Sequence, residues 1–169
     1  MSLGGGKNQA VNDAVSPIIS PYSSTMVILI LEQVAAGVAA GLFFGIAAGN
    51  NNRDAANYSP ASEPSACTVG ASDSADVKAS FSNYGTIVDV FAPGVAVLST
   101  WNNGGTNSIS GTSMATPHVV GLAAYLLAFE SIPTSALCAR IRELALKDKV
   151  TSLPSGTDNL LAYNAAVIE

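Results

Sequence analysis

Apolar residues fall along the chain in blocks whose period changes from one segment to the next. Asn8 to Val15 carries a short helical pattern. Ser16 to Ser24 reads as loop, because Pro17 and Pro21 bar a continuous helix. Met26 to Leu31 is an unbroken apolar run closed by Glu32 and Gln33, and helical Ala, Val and Gly residues follow from Val34 to Gly41. Leu42 to Ala48 is apolar throughout and ends at Gly49-Asn50, which predicts a central parallel strand buried on both faces. Asn51 to Pro64 is polar and predicts a surface loop. Short strands are predicted at Cys67–Ala71, Ile87–Phe91, Val95–Thr100 and Asn107–Ser110. Ser113 to Phe129 reads as a long apolar helix. Ser135 to Leu146 reads as a second one, with Leu137, Ile141, Leu144 and Ala145 on one face. Strands alternating with helices predict an α/β fold with a mostly parallel sheet.

Composition narrows the function classes. The 169 residues suffice for one domain or a large piece of one, and 49% apolar against 11% charged residues excludes a disordered tail. Seven Lys plus Arg against twelve Asp plus Glu give a net charge of −5 with no basic run, which excludes a nucleic-acid surface. Two cysteines allow at most one internal bridge, and one histidine excludes most zinc sites. The first residues, Met1-Ser2-Leu3-Gly4-Gly5-Gly6, lack the basic and apolar regions of a signal peptide and read like the middle of a folded domain. Gly5-Gly6-Lys7 fails as a phosphate loop, because Asn8 stands where Ser or Thr is required. Met26 to Ala48 is long enough to span a bilayer. Glu32 and Gln33 inside it, and the lack of flanking aromatic or basic anchors, disfavour a small membrane protein.

The chemistry concentrates in Ser110-Gly111-Thr112-Ser113-Met114-Ala115-Thr116-Pro117-His118. Ser113 opens a long helix, where unpaired N–H groups and the dipole favour developing negative charge. Pro117 is expected in the first turn, where its missing N–H costs little, and Gly111 lets backbone approach a substrate. Ala115 excludes the Gly-x-Ser-x-Gly elbow of α/β-hydrolases.

Gly111-Thr112-Ser113-Met114-Ala115-Thr116-Pro117-His118 resembles the nucleophile motif of subtilisin-like serine proteases. Ser2-Leu3-Gly4-Gly5-Gly6, Ala47-Ala48-Gly49-Asn50-Asn51-Asn52, Asn57 to Pro64, Phe81-Ser82-Asn83-Tyr84-Gly85 and Asn159 to Asn164 resemble the proteinase K-like branch in the same order. The resemblance implies a subtilisin-like three-layer α/β fold and serine endopeptidase chemistry with no cofactor for catalysis. It implies Ser113 as the acylated nucleophile and the Asn50 side-chain amide as an oxyanion donor. On its own, Asn50 after a strand would read as a turn residue. Ser2, Leu3 and Gly4 are implied to pair with the substrate backbone, and Ala47, Ala48 and Gly49 to wall a pocket for a large apolar side chain. A structural calcium is implied at the carbonyls of Pro64 and Ala66 with Asp89, whose oxygens suit a hard cation. A disulfide between Cys67 and Cys138 is implied, which suits an oxidising compartment; two buried thiols are the alternative. Peptides and proteins are the implied partners, and the full-length protein is expected to be extracellular, with the vacuole as the alternative.

Two departures qualify the resemblance. No Asp-Ser-Gly, Asp-Thr-Gly or His-Gly-Thr motif occurs, although the family's mechanism needs an Asp and a His. His118 cannot supply the base: five residues after Ser113, it lies about 140° around the helix and about 7.5 Å along it. The chain is therefore expected to match the C-terminal half of the catalytic domain or somewhat more, to lack turnover alone and to need the missing N-terminal half for a triad. A peptide-binding relic without catalysis is the alternative. Residues 16–33 interrupt what the family has as one helix, and are expected to be an atypical insertion in a partial catalytic domain spanning 1–169, arising from a retained intron or a gene-prediction error, with a genuine loop insertion as the alternative.

Overall fold

The computed structural model describes residues 23–102 and 104–165, with backbone alone for 23–30. The first helix, α1, spans Ser23–Ala39. It takes in most of the stretch expected to interrupt a helix, because Pro17 and Pro21 lie upstream and no Pro or Gly occurs from Ser23 to Ala36. The helix ends in a Schellman cap. Gly41 takes φ +89°, its N–H donates to the Val38 carbonyl at 2.9 Å, and Leu42 N–H donates to the Gly37 carbonyl at 3.0 Å. That turn also excludes a continuous spanning helix over Met26–Ala48. The predicted helix at Asn8–Val15 lies outside the described residues.

Strand β1, Gly45–Ala47, pairs in parallel with β2, Cys67–Ser72, and β2 with β3, Val90–Pro93. A hairpin of β4, Val97–Thr100, and β5, Thr106–Ile109, forms a separate two-stranded sheet. Helix α2 covers Thr112–Phe129 and α3 covers Leu137–Leu144. Two short strands complete the main sheet, β6 at Leu146–Lys147 and β7 at Leu160–Leu161, in the order β1-β2-β3-β7-β6. Within this five-stranded sheet only the β6–β7 pair is antiparallel, so the expected α/β class with a mostly parallel sheet holds. β1 is buried along its whole length, yet it stands at the end of this order among the described residues and not at its centre. Layers above and below it bury its two faces.

Those layers form two cores. Val69, Ala71, Val90 and Ala92 face Ala115, Val119, Ala123 and Leu126 of α2, and Leu137 and Ile141 of α3. On the other face Ile46, Val88 and Phe91 pack with Val34 of α1, giving helix, sheet and helix layers. α2 is apolar and long enough to cross a membrane by length and composition. Its buried residues at four- and three-residue steps instead seat it on the sheet. Pro117 is the sixth residue of this helix, beyond the first turn, because the helix begins at Thr112. It therefore removes the N–H that would meet the Ser113 carbonyl.

Candidate active site

The site is assembled where the C-terminal end of β1 meets the N-terminus of α2. After Ala47 the chain runs through Ala48 and Gly49 into Asn50, and Gly49 takes φ +102°. A side-chain carbon on Gly49 would also lie 2.5 Å from Asn83 Nδ2, so glycine is required there for both conformation and space. Ala47, Ala48 and Gly49 are buried and Asn50 is exposed.

Thr112, the first residue of α2, orients Asn50. Asn50 Oδ1 accepts from Thr112 N–H at 2.9 Å and from Thr112 Oγ1 at 2.9 Å. Thr112 Oγ1 in turn accepts from Gly49 N–H at 3.2 Å. With the oxygen of the amide engaged twice, its NH₂ is the group left to donate, and no described residue accepts from it. A carbon built on Gly111 would lie 3.6 Å from Asn50 Nδ2, which puts that NH₂ beside the start of α2, one residue before Thr112 and two before Ser113.

A second set of buried polar groups holds the loop from behind. Asn83 is fully buried. Its Nδ2 donates to the Ala48 carbonyl at 2.8 Å, and its Oδ1 accepts from Asn51 N–H and Arg53 N–H, each at 3.0 Å. Its own N–H donates to the Gly49 carbonyl at 2.9 Å. Lys78 Nζ donates to Asn52 Oδ1 and to the Ala79 and Ser82 carbonyls, each at 3.0 Å. Burial pulls the Lys78 ammonium below the ordinary lysine range. Thr112, Asn83 and Lys78 were not singled out as site residues from the sequence. Thr112 stood within the nucleophile motif, and Asn83 within a stretch used only to establish resemblance.

His118 is exposed, and its Nδ1 pairs with the Met114 carbonyl at 2.9 Å, one turn back on its own helix. The structure brings Asn50, Ala47–Gly49 and the start of α2 at Thr112 and Ser113 together, and Ser2, Leu3 and Gly4 lie outside the described residues.

The implied cation residues converge elsewhere. Pro64, Ala66 and Asp89 line a surface hollow of about 510 Å³ together with Val38 and Arg142. Asp89 Oδ2 accepts from Thr68 N–H at 2.8 Å, and Asp89 Oδ1 accepts from Arg142 Nη1 at 2.6 Å. Beside them Cys67 and Cys138 form the expected disulfide. Their sulfurs lie close enough to Asp89 to suggest a metal cluster, but both are consumed by the bridge.

The chain matches the family described as "Subtilase family" over residues 1–160. It is 53% identical over 166 residues to "Alkaline serine protease ver112" of Corniculantispora psalliotae, covering 98% of this chain and 38% of that protein. It is 54% identical over 167 residues to "Cuticle-degrading protease" of Metarhizium anisopliae, again covering 98% of this chain and 38% of that protein. The chain thus spans less than half the length of these curated relatives. Among solved structures it resembles "Crystal structure of a cold adapted subtilisin-like serine proteinase" with a TM-score of 0.78 and 42% identity, covering 99% of this chain and 54% of that one.

Proposed function

The chain belongs to the subtilase family, and from that premise we propose that it carries the nucleophile and oxyanion side of a serine endopeptidase. Ser113 Oγ attacks the peptide carbonyl. The negative charge that develops on the carbonyl oxygen is met by Asn50 Nδ2 and the Ser113 N–H at the start of α2. Ala47, Ala48 and Gly49 wall the pocket for a large apolar side chain, with Ser2, Leu3 and Gly4 pairing to the substrate backbone. The catalytic Asp and His come from sequence outside this chain, which is inactive by itself. The full-length protein works outside the cell, and the Cys67–Cys138 bridge supports an oxidising compartment. Residues 16–33 are an insertion relative to the family's helix; an mRNA lacking that segment would identify it as retained intron.

The observation that carries the oxyanion assignment is the double engagement of Asn50 Oδ1 by Thr112. It leaves the amide turned with its donor available, as an oxyanion site requires. The test is hydrolysis of a chromogenic peptide ending in a large apolar residue. The purified chain is expected to give none. A form extended upstream to include the Asp and His is expected to be active, to lose activity with Ser113→Ala, and to lose about 10²–10³ in kcat with Asn50→Ala, the range established for such a donor in subtilisin itself. Turnover by the short chain that Ser113→Ala abolishes would overturn the inactive reading. Unchanged kcat in Asn50→Ala would overturn the oxyanion role.

A further inference from the structure

Family resemblance implies a calcium held by the Pro64 and Ala66 carbonyls and Asp89. The donor set has the right chemistry, since all three offer hard oxygen. The carboxylate, however, is already engaged at both oxygens, by Thr68 N–H and by the Arg142 guanidinium. Arg142 also reaches Asp158 through Nη2 at 2.8 Å. A divalent ion at Asp89 would have to break a charge-assisted hydrogen bond and then sit beside the positive charge it had displaced. The residues present do not fit a resident calcium.

The arrangement is built into the fold. Cys138 and Arg142 are four residues apart on α3 and so share a face. The disulfide pins Cys138 to Cys67 at the start of β2, and the next residue, Thr68, holds the other Asp89 oxygen. Arg142 is thereby delivered to Asp89 one turn beyond the bridge. The Asp89 side chain is 19% exposed and that of Arg142 is 36% exposed, so the pair is only partly screened by water.

We propose that Arg142 is the resident cation of this hollow, a guanidinium occupying the role that a divalent ion would otherwise fill between Pro64, Ala66 and Asp89. The chain therefore holds the junction of α3 with β2 without calcium. This goes beyond the protease reading and does not depend on turnover.

Thermal unfolding and calorimetric titration of the full chain, with calcium chloride or with EGTA, test it. Wild type is expected to melt at one temperature in both and to give no saturable binding heat. Arg142→Gln keeps a polar side chain but removes the charge. It is expected to melt lower in EGTA and to recover with calcium, with dissociation constants of about 10⁻⁴–10⁻³ M. Adding Asp89→Asn should erase that recovery. Saturable calcium binding to wild type that Asp89→Asn removes would overturn the proposal, and this arm decides the matter if Arg142→Gln does not fold. A folded Arg142→Gln that ignores calcium would overturn it as well.

Discussion

The loop carrying Asn50 and the junction of α3 with β2 are both held by dense polar contacts, but of opposite kinds. Around Asn50 the contacts are mostly uncharged and are buried or part-buried: Asn83 binds three backbone groups with its side chain, and Thr112 bonds Asn50 and Gly49. At the junction the contacts are ionic and half-exposed, with Arg142 between Asp89 and Asp158 beside a disulfide. A second ionic group centres on Arg140, two residues before Arg142 on the same helix, which pairs with Glu143 of α3 and with Glu130 just after α2. Neutral buried hydrogen bonds fix direction and resist salt, which suits a donor that must point at one atom. Exposed ion pairs contribute little each and weaken with ionic strength. The junction therefore needs its covalent bridge, and the loop does not.

The comparison breaks most visibly at the bridge. Cys67 and Cys138 are 71 residues apart, and a loop of that length gives a chain-entropy contribution of about 4 kcal/mol. Replacing both by Ala is expected to remove roughly that much from the free energy of unfolding, measured by urea denaturation. The loss should grow at high salt, where the neighbouring ion pairs are screened and the bridge is no longer there to compensate. A double variant within about 1 kcal/mol of wild type would show that the junction does not rely on it.

Next in size is Asn83→Ala. It leaves the buried Ala48 carbonyl and the part-buried Asn51 and Arg53 N–H groups without their partner, and an orphaned group that water does not reach costs about 1–3 kcal/mol. A loss of about 3 kcal/mol is expected, less than the sum because the loop can partly rehydrate. Unlike the junction variants, its size should not change between low and high salt. A strongly salt-dependent effect would mean that charge, not neutral bonding, holds this loop.

Much of this was legible in the chain, and the rest was not for identifiable reasons. β2 and α2 match their predicted ranges to within a residue, because a short apolar strand and a long apolar helix carry their own periodic signal. The Gly49-Asn50 turn and the Ser113 position were likewise readable. Asn83 was not, since its partners lie 30 to 35 residues earlier and a polar residue in a loop gives no sign that it will be fully buried. Arg142 was hidden in the same way. Periodicity placed Leu137 and Ile141 on the core face, but nothing local predicts that the next turn meets Asp89, 53 residues away. The helical course of Met26–Gln33 was missed because an unbroken apolar run rich in β-branched Val27, Ile28 and Ile30 carries no helical period.

Lys78 is the exception that sharpens the contrast, a charged group within the neutral region, held by an amide oxygen and two carbonyls. Burial lowers its pKa in the fold. Between the folded value and the higher unfolded value the unfolded chain holds more protons, so stability contributed at this position rises with pH across that interval. Wild type should therefore gain on Lys78→Met as pH climbs through the alkaline range just below ordinary lysine titration, the smallest of the three effects. Paired denaturation curves across that range measure it. A difference that falls with rising pH would mean that the ammonium is stabilised by the fold as a cation, and that this loop, like the junction, is held by charge.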